Sequence, residues 1–230
     1  MYGKWKAILE NADLFQGIPV DETIHLLECL WPRLEMYAKD EFAILTGDEV
    51  RGCGLVLSGQ MEVIKENALG QQMILTVVGP GEMFGEVAAF SGAKFWPASV
   101  RVREEAVVVY LTAEQVLGLC EQGCFSHRQM MVNMMKILAE KAMVLNRKVE
   151  YLSIKSLRGK VCALLYEHYQ RSKSLNFQIK MNRSEMAEYL NIPRPSLSRE
   201  LGGLRDEGIL SFDRSAFTIH DLEQMKGFLV

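Results

Sequence analysis

Apolar residues recur at every seventh position through residues 126–152. Met131, Leu138, Leu145 and Leu152 make one row, and Met135, Ala142 and Val149 make a second row midway between them. Alternating steps of three and four are the seam of a left-handed coiled coil, because a helix holds such a stripe in register only by winding around a partner. Lys141, Arg147, Lys148 and Glu150 fall off the seam. A helix packed on its own domain is the alternative, but the strict repeat favours a second copy of the chain. The seam therefore predicts a homodimer joined along residues 131–152. It also divides the chain into an N-terminal domain (1–125), a dimerisation helix (126–153) and a C-terminal domain (154–230).

The N-terminal domain reads as helices followed by strands. Trp5, Ile8 and Leu9, then Ile24, Leu27 and Leu30, have helical spacing. Pro32 lacks the amide an interior turn requires and should end the second helix. From about 34 to 112, short β-rich runs at 41–45, 54–57, 61–65, 73–78, 99–102 and 106–111 alternate with glycine-bearing turns. These are Gly47-Asp48, Ser58-Gly59, Leu69-Gly70 and Gly79-Pro80-Gly81. Such regular punctuation predicts an all-β roll. A short helix follows at 113–121.

Beyond the long helix, 156–171 is amphipathic through Leu157, Val161, Leu164 and Leu165. A loop at 172–174 leads to a strand at 175–181. Residues 182–207 then read NRSEMAEYLNIPRPSLSRELGGLRDE. Asn182 with Glu185 three positions on is an N-terminal capping pair, and Met186, Ala187 and Leu190 face inward. Asn191 tolerates the left-handed backbone of a sharp turn, and Ile192 anchors that turn. Pro195 can open a second helix, where its missing amide costs nothing, and Leu197, Leu201 and Leu204 form the buried face. The exposed face is expected to carry Arg194, Pro195, Ser196, Ser198 and Arg199. Donors near the N-terminus of a helix can reach base edges in a major groove, with arginine forking onto guanine and serine reaching bases or phosphates. Gly208 stops the helix, and 209–212 and 216–219 flank Asp213-Arg214 as a small hairpin, a wing. Arg183 and Arg214 are candidate phosphate contacts.

Bulk properties limit the remaining classes. A net charge of −3 argues against a general nucleic-acid coat but not against a specific reader. No apolar run approaches the ~18 residues that span a bilayer. The first ten residues lack the basic-then-apolar design of a signal peptide. Cys29, Cys53, Cys120, Cys124 and Cys162 form an odd set without a CxxC pair, which fits reduced thiols in a cytoplasm. No nucleophile–base set, metal-ligand spacing or phosphate loop points to an enzyme, and His25, His127, His168 and His220 are scattered. The expected architecture is α+β: β-roll, long helix, winged helix-turn-helix.

This order of parts resembles the cAMP receptor protein/fumarate–nitrate reduction regulator (Crp/Fnr) superfamily across essentially the whole chain. GPGEMFGEVAAFSG (79–92) is similar to the family's effector-pocket segment, and RSEMAEYLNIPRPSLSREL (183–201) to its helix-turn-helix. The resemblance implies an effector site around Phe84, Gly85, Glu86, Val87, Trp96, Pro97, Ser99 and Met135. In members that bind a cyclic nucleotide, the acid after the glycine takes the ribose and an Arg-Ser pair takes the phosphate. Here WPASV (96–100) aligns with that R-S-A-x-V pattern, so Trp96 and Pro97 replace the arginine and serine. Without a charge-assisted partner a cyclic phosphate loses its strongest contact, and the helix from 128 to 152 offers no Ser or Thr to an adenine. Alternation puts Arg101 and Arg103 on the same face as Ser99.

Other sensing chemistries in such proteins fit less well. Only Cys29 lies near the N-terminus, too few for a four-thiolate iron–sulfur cluster. No histidine between His25 and His127 offers itself to haem. Cys120 and Cys124 lie one helical turn apart, as a thiol switch or simply as small residues filling a junction. An apolar pocket of Phe84, Phe90, Phe95, Trp96 and methionines of the long helix remains. No cofactor is implied, and the effector is an unidentified small molecule. On the nucleic-acid side, the Ser198-Arg199 pair implies half-sites of an inverted repeat related to TTGA. Pro195 stands where relatives carry a glutamate that would accept from a cytosine amine. The partners implied are double-stranded DNA, a second copy of the chain and RNA polymerase. An effector-binding regulatory subunit without DNA binding is the rival reading.

Overall fold

The computed structural model describes residues 2–67, 70, 72–118 and 124–229. It divides into two compact units, Met1–Glu140 and Lys141–Val230. In the first, a 3-10 turn leads into helix α1 (Lys6–Asn11), followed by α2 (Val20–Leu30). Trp31 ends α2 in the left-handed conformation, directly before Pro32. Strands β1 (Arg33–Tyr37), β2 (Phe42–Ile44), β3 (Cys53–Glu66), β4 (Gln72–Val78) and β5 (Met83–Phe84) follow. Then come helix α3 (Glu86–Phe90), strand β6 (Ser99–Leu111) and helix α4 (Ala113–Leu117). The strands form one antiparallel sheet in the order β1-β6-β3-β4, with β2 added to β6 and β5 to β3.

Alternation along β3 and β6 builds two cores, because successive side chains leave a strand on opposite faces. Val56, Val100, Val102, Val108 and Tyr110 point into the roll with Phe84 and Trp96. Cys53, Leu55, Leu57, Val109 and Leu111 point the other way, onto Leu9, Phe15 and Leu27. Ser99, Arg101 and Arg103 therefore lie on the face away from the roll interior.

One expected turn and one expected gap between strands are continuous strand. The runs at 54–57 and 61–65 belong to the single strand β3, and those at 99–102 and 106–111 to β6. Ser58-Gly59 does not reverse the chain; the pairing of β3 with β6 shifts there as a bulge. Gly59 takes φ +78°, and a Cβ on it would stand 2.1 Å from the Glu105 carbonyl oxygen, so only glycine fits the crossing. Arg103, Glu104 and Glu105 are polar because their side chains are exposed, while the strand backbone runs on. Leu69 of the expected Leu69-Gly70 turn, and 119–121 of the expected 113–121 helix, lie outside the described residues; so does Cys120.

Helix α5 (Phe125–Ser153) crosses the division between the units. Met130 and Met134 are buried with the helices of the first unit, and Tyr151 in the core of the second. The second unit continues with α6 (Leu157–Ser172), capped by the Ser156 side chain. Strand β7 (Asn176–Gln178), helices α7 (Arg183–Tyr189) and α8 (Arg194–Asp206), strands β8 (Leu210–Asp213) and β9 (Ala216–Ile219) and helix α9 (Leu222–Lys226) complete it. Its antiparallel sheet has the order β7-β9-β8, so β7 joins the hairpin as a third strand. Val161, Leu164, Leu165, Leu197, Leu201, Leu204, Ile209 and Phe217 form one core. Leu157, expected on the inner face of α6, is exposed at the helix start.

Candidate functional site

The α7–turn–α8 unit is assembled by local chemistry. Asn182 Oδ1 accepts from the amides of Ser184 and Glu185 at 2.9 and 3.0 Å, and Glu185 Oε2 accepts from the Asn182 amide at 2.8 Å. This reciprocal box starts α7 at one residue, Arg183. Asn191 turns the chain at φ +51°, and the Ile192 amide donates to the Ala187 carbonyl at 2.9 Å. Pro193 caps α8 and Pro195 sits in its first turn. With Leu197, Leu201 and Leu204 buried, the outward face of α8 carries Arg194, Pro195, Ser198 and Arg199.

Ser196 departs from its expected place. It is buried, and its Oγ accepts from Arg199 Nη2 at 3.2 Å. One turn of helix separates the two residues, so the serine steers the arginine from beneath rather than sharing its exposed face.

Arg183 is half-buried. Its guanidinium lies 4.8 Å from the Phe212 ring and 4.9 Å from the Phe217 ring. Burial lowers its pKa below the usual arginine value, though it keeps its charge at neutral pH. Arg183 and Arg214 border one cavity of about 510 Å³ together with Lys180, Asn182 and Ser215. Arg214 occupies the wing turn at φ +51°. Lys180 was not singled out in the sequence. It enters the group because β7 runs beside β9, a pairing that no local pattern announces.

The arginines of the second unit fall into two sets. Arg147, Arg158, Arg171 and Arg205 each hold a carboxylate. Among the described residues, Arg183, Arg194, Arg199 and Arg214 hold none. Unneutralised guanidinium groups are thus concentrated on the outer face of α8 and beside the wing, where a polyanion would meet them.

In the roll, Gly85 takes φ +77° at the head of α3, and a Cβ there would lie 2.0 Å from Trp96 Cη2. The indole therefore rests directly on the Gly85 backbone. Phe84 stands 6.4 Å from Trp96 and edge-on to Tyr110 at 6.0 Å. Glu86 is buried beside them. A cavity of about 270 Å³ opens next to Trp96 and Tyr110, with Arg33, Asp48 and Arg51 around it.

The other expected effector residues do not join that cluster. Val87, Phe95 and Met135 are exposed, as is Pro97. Phe90 packs on the helical core instead. Ser99 bonds Thr46, through the Thr46 amide at 2.9 Å and its hydroxyl at 3.1 Å. Arg101 is committed to the buried Glu62, with its Nε 2.7 Å from Glu62 Oε1, so it is not a substitute for the missing phosphate arginine.

Along α5, Met135, Leu145, Val149 and Leu152 are all exposed, as is Ala142, while Met131 and Leu138 are half-buried. In a single chain most of the heptad stripe thus faces water.

Residues 34–123 match the family of the cyclic nucleotide-binding domain, and residues 159–228 match the Crp-like helix-turn-helix domain. The chain is 26% identical to the cyclic AMP receptor protein of Thermus thermophilus, a match spanning 88% of this chain and 89% of the relative. Among solved structures, the Thermus thermophilus catabolite activator protein superposes with a TM-score of 0.55 at 22% identity, covering 95% of this chain and 98% of that one. A single-residue variant of CprK complexed with OCPA superposes with a TM-score of 0.61 at 14% identity, covering 91% and 94%. These structural likenesses bear on the fold.

Proposed function

The chain belongs to the Crp/Fnr superfamily of transcription regulators, and from that premise we propose that it works as a homodimer whose two α8 helices read an inverted repeat about one DNA turn apart. The observation that carries the reading is the partition of arginines: among the described residues, the four of the second unit without carboxylate partners are Arg194 and Arg199 in the first half of α8, Arg183 at the start of α7 and Arg214 in the wing turn. Arg194, Ser198 and Arg199 read base edges, with Ser196 steering Arg199 and Pro195 shaping the first turn. Arg183 and Arg214, joined by Lys180, hold phosphates. The half-sites are TTGA-like in their Ser-Arg-read part and relaxed where relatives use the glutamate that Pro195 replaces.

The exposed heptad stripe supports pairing of two copies along α5. Pairing sets the spacing of the two readers, which is why an effector acting on α5 could change DNA affinity. That effector binds in the β-roll and is not cAMP. Trp96 covers Gly85 where a phosphate-binding arginine would be anchored, and Arg101 is held by Glu62. Trp96 and Tyr110 border the cavity beside Ala43 and Ile44 and suit the apolar or aromatic part of a small molecule. The protein acts in the cytoplasm, with RNA polymerase as its onward partner.

The test is the salt dependence of DNA binding, followed by fluorescence anisotropy. Replacing Arg183 or Arg214 with Ala should lower the slope of log K against log salt by about 1 for each phosphate no longer neutralised. Unchanged slopes would remove both residues from the interface. Failure of the wild type to bind any duplex, with or without small aromatic acids, would favour the regulatory subunit without DNA binding. A rise in affinity on adding cAMP would overturn the assignment of the effector.

A further inference from the structure

Helix α8 carries two adjacent glycines, Gly202 and Gly203, in its second half. Glycine is the poorest helix former after proline, because it surrenders the most backbone freedom. A helix that has to hold Arg194, Ser198 and Arg199 against base edges is thus softest just behind them. A Cβ at Gly202 would meet nothing within 4 Å, so no crowding at that position demands a glycine. Gly203 is different: a Cβ there would stand 3.0 Å from Arg158 Nη2.

Arg158 reaches α8 from the first turn of α6. Its Nε donates to Glu200 Oε2 at 3.1 Å and its Nη1 to Glu207 Oε2 at 2.9 Å. Glu200, Gly203 and Glu207 are three and four residues apart, so they share one face of the helix. Glu207 is the residue on which α8 ends. One guanidinium therefore bridges two turns of α8, bonded on either side of the glycine pair and lying against the gap that Gly203 leaves.

The base of this bridge is fixed. Ser156 Oγ accepts from the Gly159 amide at 2.8 Å where α6 starts. A Cβ on Gly159 would stand 2.7 Å from the Phe228 carbonyl oxygen, so that start is packed directly on the C-terminal segment. The guanidinium itself lies 5.1 Å from the Phe228 ring. Exposed ion pairs add little, and Arg205–Asp206 is one, with side chains 54% and 69% exposed. Arg158 and Glu200 are only 29% and 25% exposed. The two carboxylates take different nitrogens, which sets the plane of the guanidinium as well as its place.

We propose that Arg158 is a positioning residue for the DNA reader: it staples α8 across the Gly202-Gly203 pair and so holds Arg194, Ser198 and Arg199 in register with the bases. This rests on α8 being the reading helix, and Arg158 acts through that helix. Contacts to base edges need a fixed helix, whereas phosphate contacts on unrelated DNA tolerate its displacement.

Arg158→Met keeps the length of the side chain and removes the guanidinium. Two measurements on the full-length protein separate the claims. One is hydrogen–deuterium exchange of α8 peptides without DNA; the other is anisotropy on a selected and an unrelated duplex at one salt concentration. The substitution should speed exchange over residues 200–207 about tenfold and lower the ratio of specific to non-specific affinity about tenfold. Exchange at 161–165 in the core of α6 should not change. The lost charge weakens both duplexes alike, so the ratio carries the test. Arg158→Lys keeps a charge in place without the fork and should lose part of the ratio with the fold intact. Adding Gly202→Ala and Gly203→Ala to Arg158→Met should restore both readouts. Alanine stiffens the helix, and the group nearest a Cβ at 203 is absent from that variant. Unchanged exchange in Arg158→Met would overturn the staple, whatever the duplexes show. Faster exchange with an unchanged ratio, or a lost ratio that the alanines do not restore, would overturn the positioning role. A wild-type protein that prefers no duplex would overturn reading by α8 and the positioning role with it, while the exchange still decides the staple.

Discussion

Replacing Leu145 with Ala tests the pairing of two chains at a point where the structure supplies the magnitude. Leu145 is 58% exposed in the single chain. Fully burying a leucine side chain is worth about 1.5–3 kcal/mol, so covering the exposed part is worth about 1–2 kcal/mol per copy. The position occurs twice across a twofold interface. Truncation should therefore weaken the dimer by about 2–4 kcal/mol, or about 30- to 1,000-fold in dissociation constant. Alanine is an excellent helix former, and the side chain removed is mostly in water in the lone chain, so the folded monomer should be little affected. Sedimentation equilibrium gives the dissociation constant, and Lys148→Ala, off the stripe, serves as the control. A Leu145→Ala protein that dimerises within about twofold of wild type would refute the seam, since an interface elsewhere would not register the change.

Arg199→Ala should cost about 1–3 kcal/mol on a selected duplex and almost nothing on an unrelated one, compared by anisotropy at one salt concentration. Equal losses on both would make Arg199 a phosphate contact. Trp96→Ala removes a buried indole from above Gly85 and should cost about 3–5 kcal/mol of stability, read from denaturant midpoints. A midpoint unmoved by the change would mean that the roll does not depend on the indole to fill that space.

The parts of the fold that were legible in the sequence are those fixed by short-range chemistry. Asn182 and Glu185, Asn191, Pro195 and Gly208 each act within a few residues, and they delimit α7, the turn and α8 where the spacing predicted. The strands were found but their continuity was not. A glycine at positive φ serves a tight turn and a bulge equally, so Ser58-Gly59 read as a reversal although its reason is the Glu105 carbonyl on the neighbouring strand. The α8 face was legible from the leucines, but Ser196 lies at the margin of the buried stripe. Its polarity suggested exposure, whereas its hydroxyl is satisfied by Arg199.

Groupings of distant residues were out of reach. Arg183 stacks on Phe212 and Phe217 because β8 and β9 fold back over the start of α7, and Lys180 joins it through β7. A cavity between α2, α4 and the first turn of α5 brings α2 against two helices from which it is separated by most of the N-terminal unit. In the roll, the substitution of Trp96 and Pro97 for an Arg-Ser pair was visible directly. That the indole lies on Gly85, and that Arg101 is taken by Glu62, required the strand pairing.

The most direct test of the account is selection of bound sites from random duplex DNA by the full-length protein at fixed, moderate salt. The account predicts enrichment of an inverted repeat with TTGA-like arms whose centres lie about one helical turn apart. Enrichment of a single, unrepeated half-site, or of no sequence either alone or with small aromatic acids present, would contradict it.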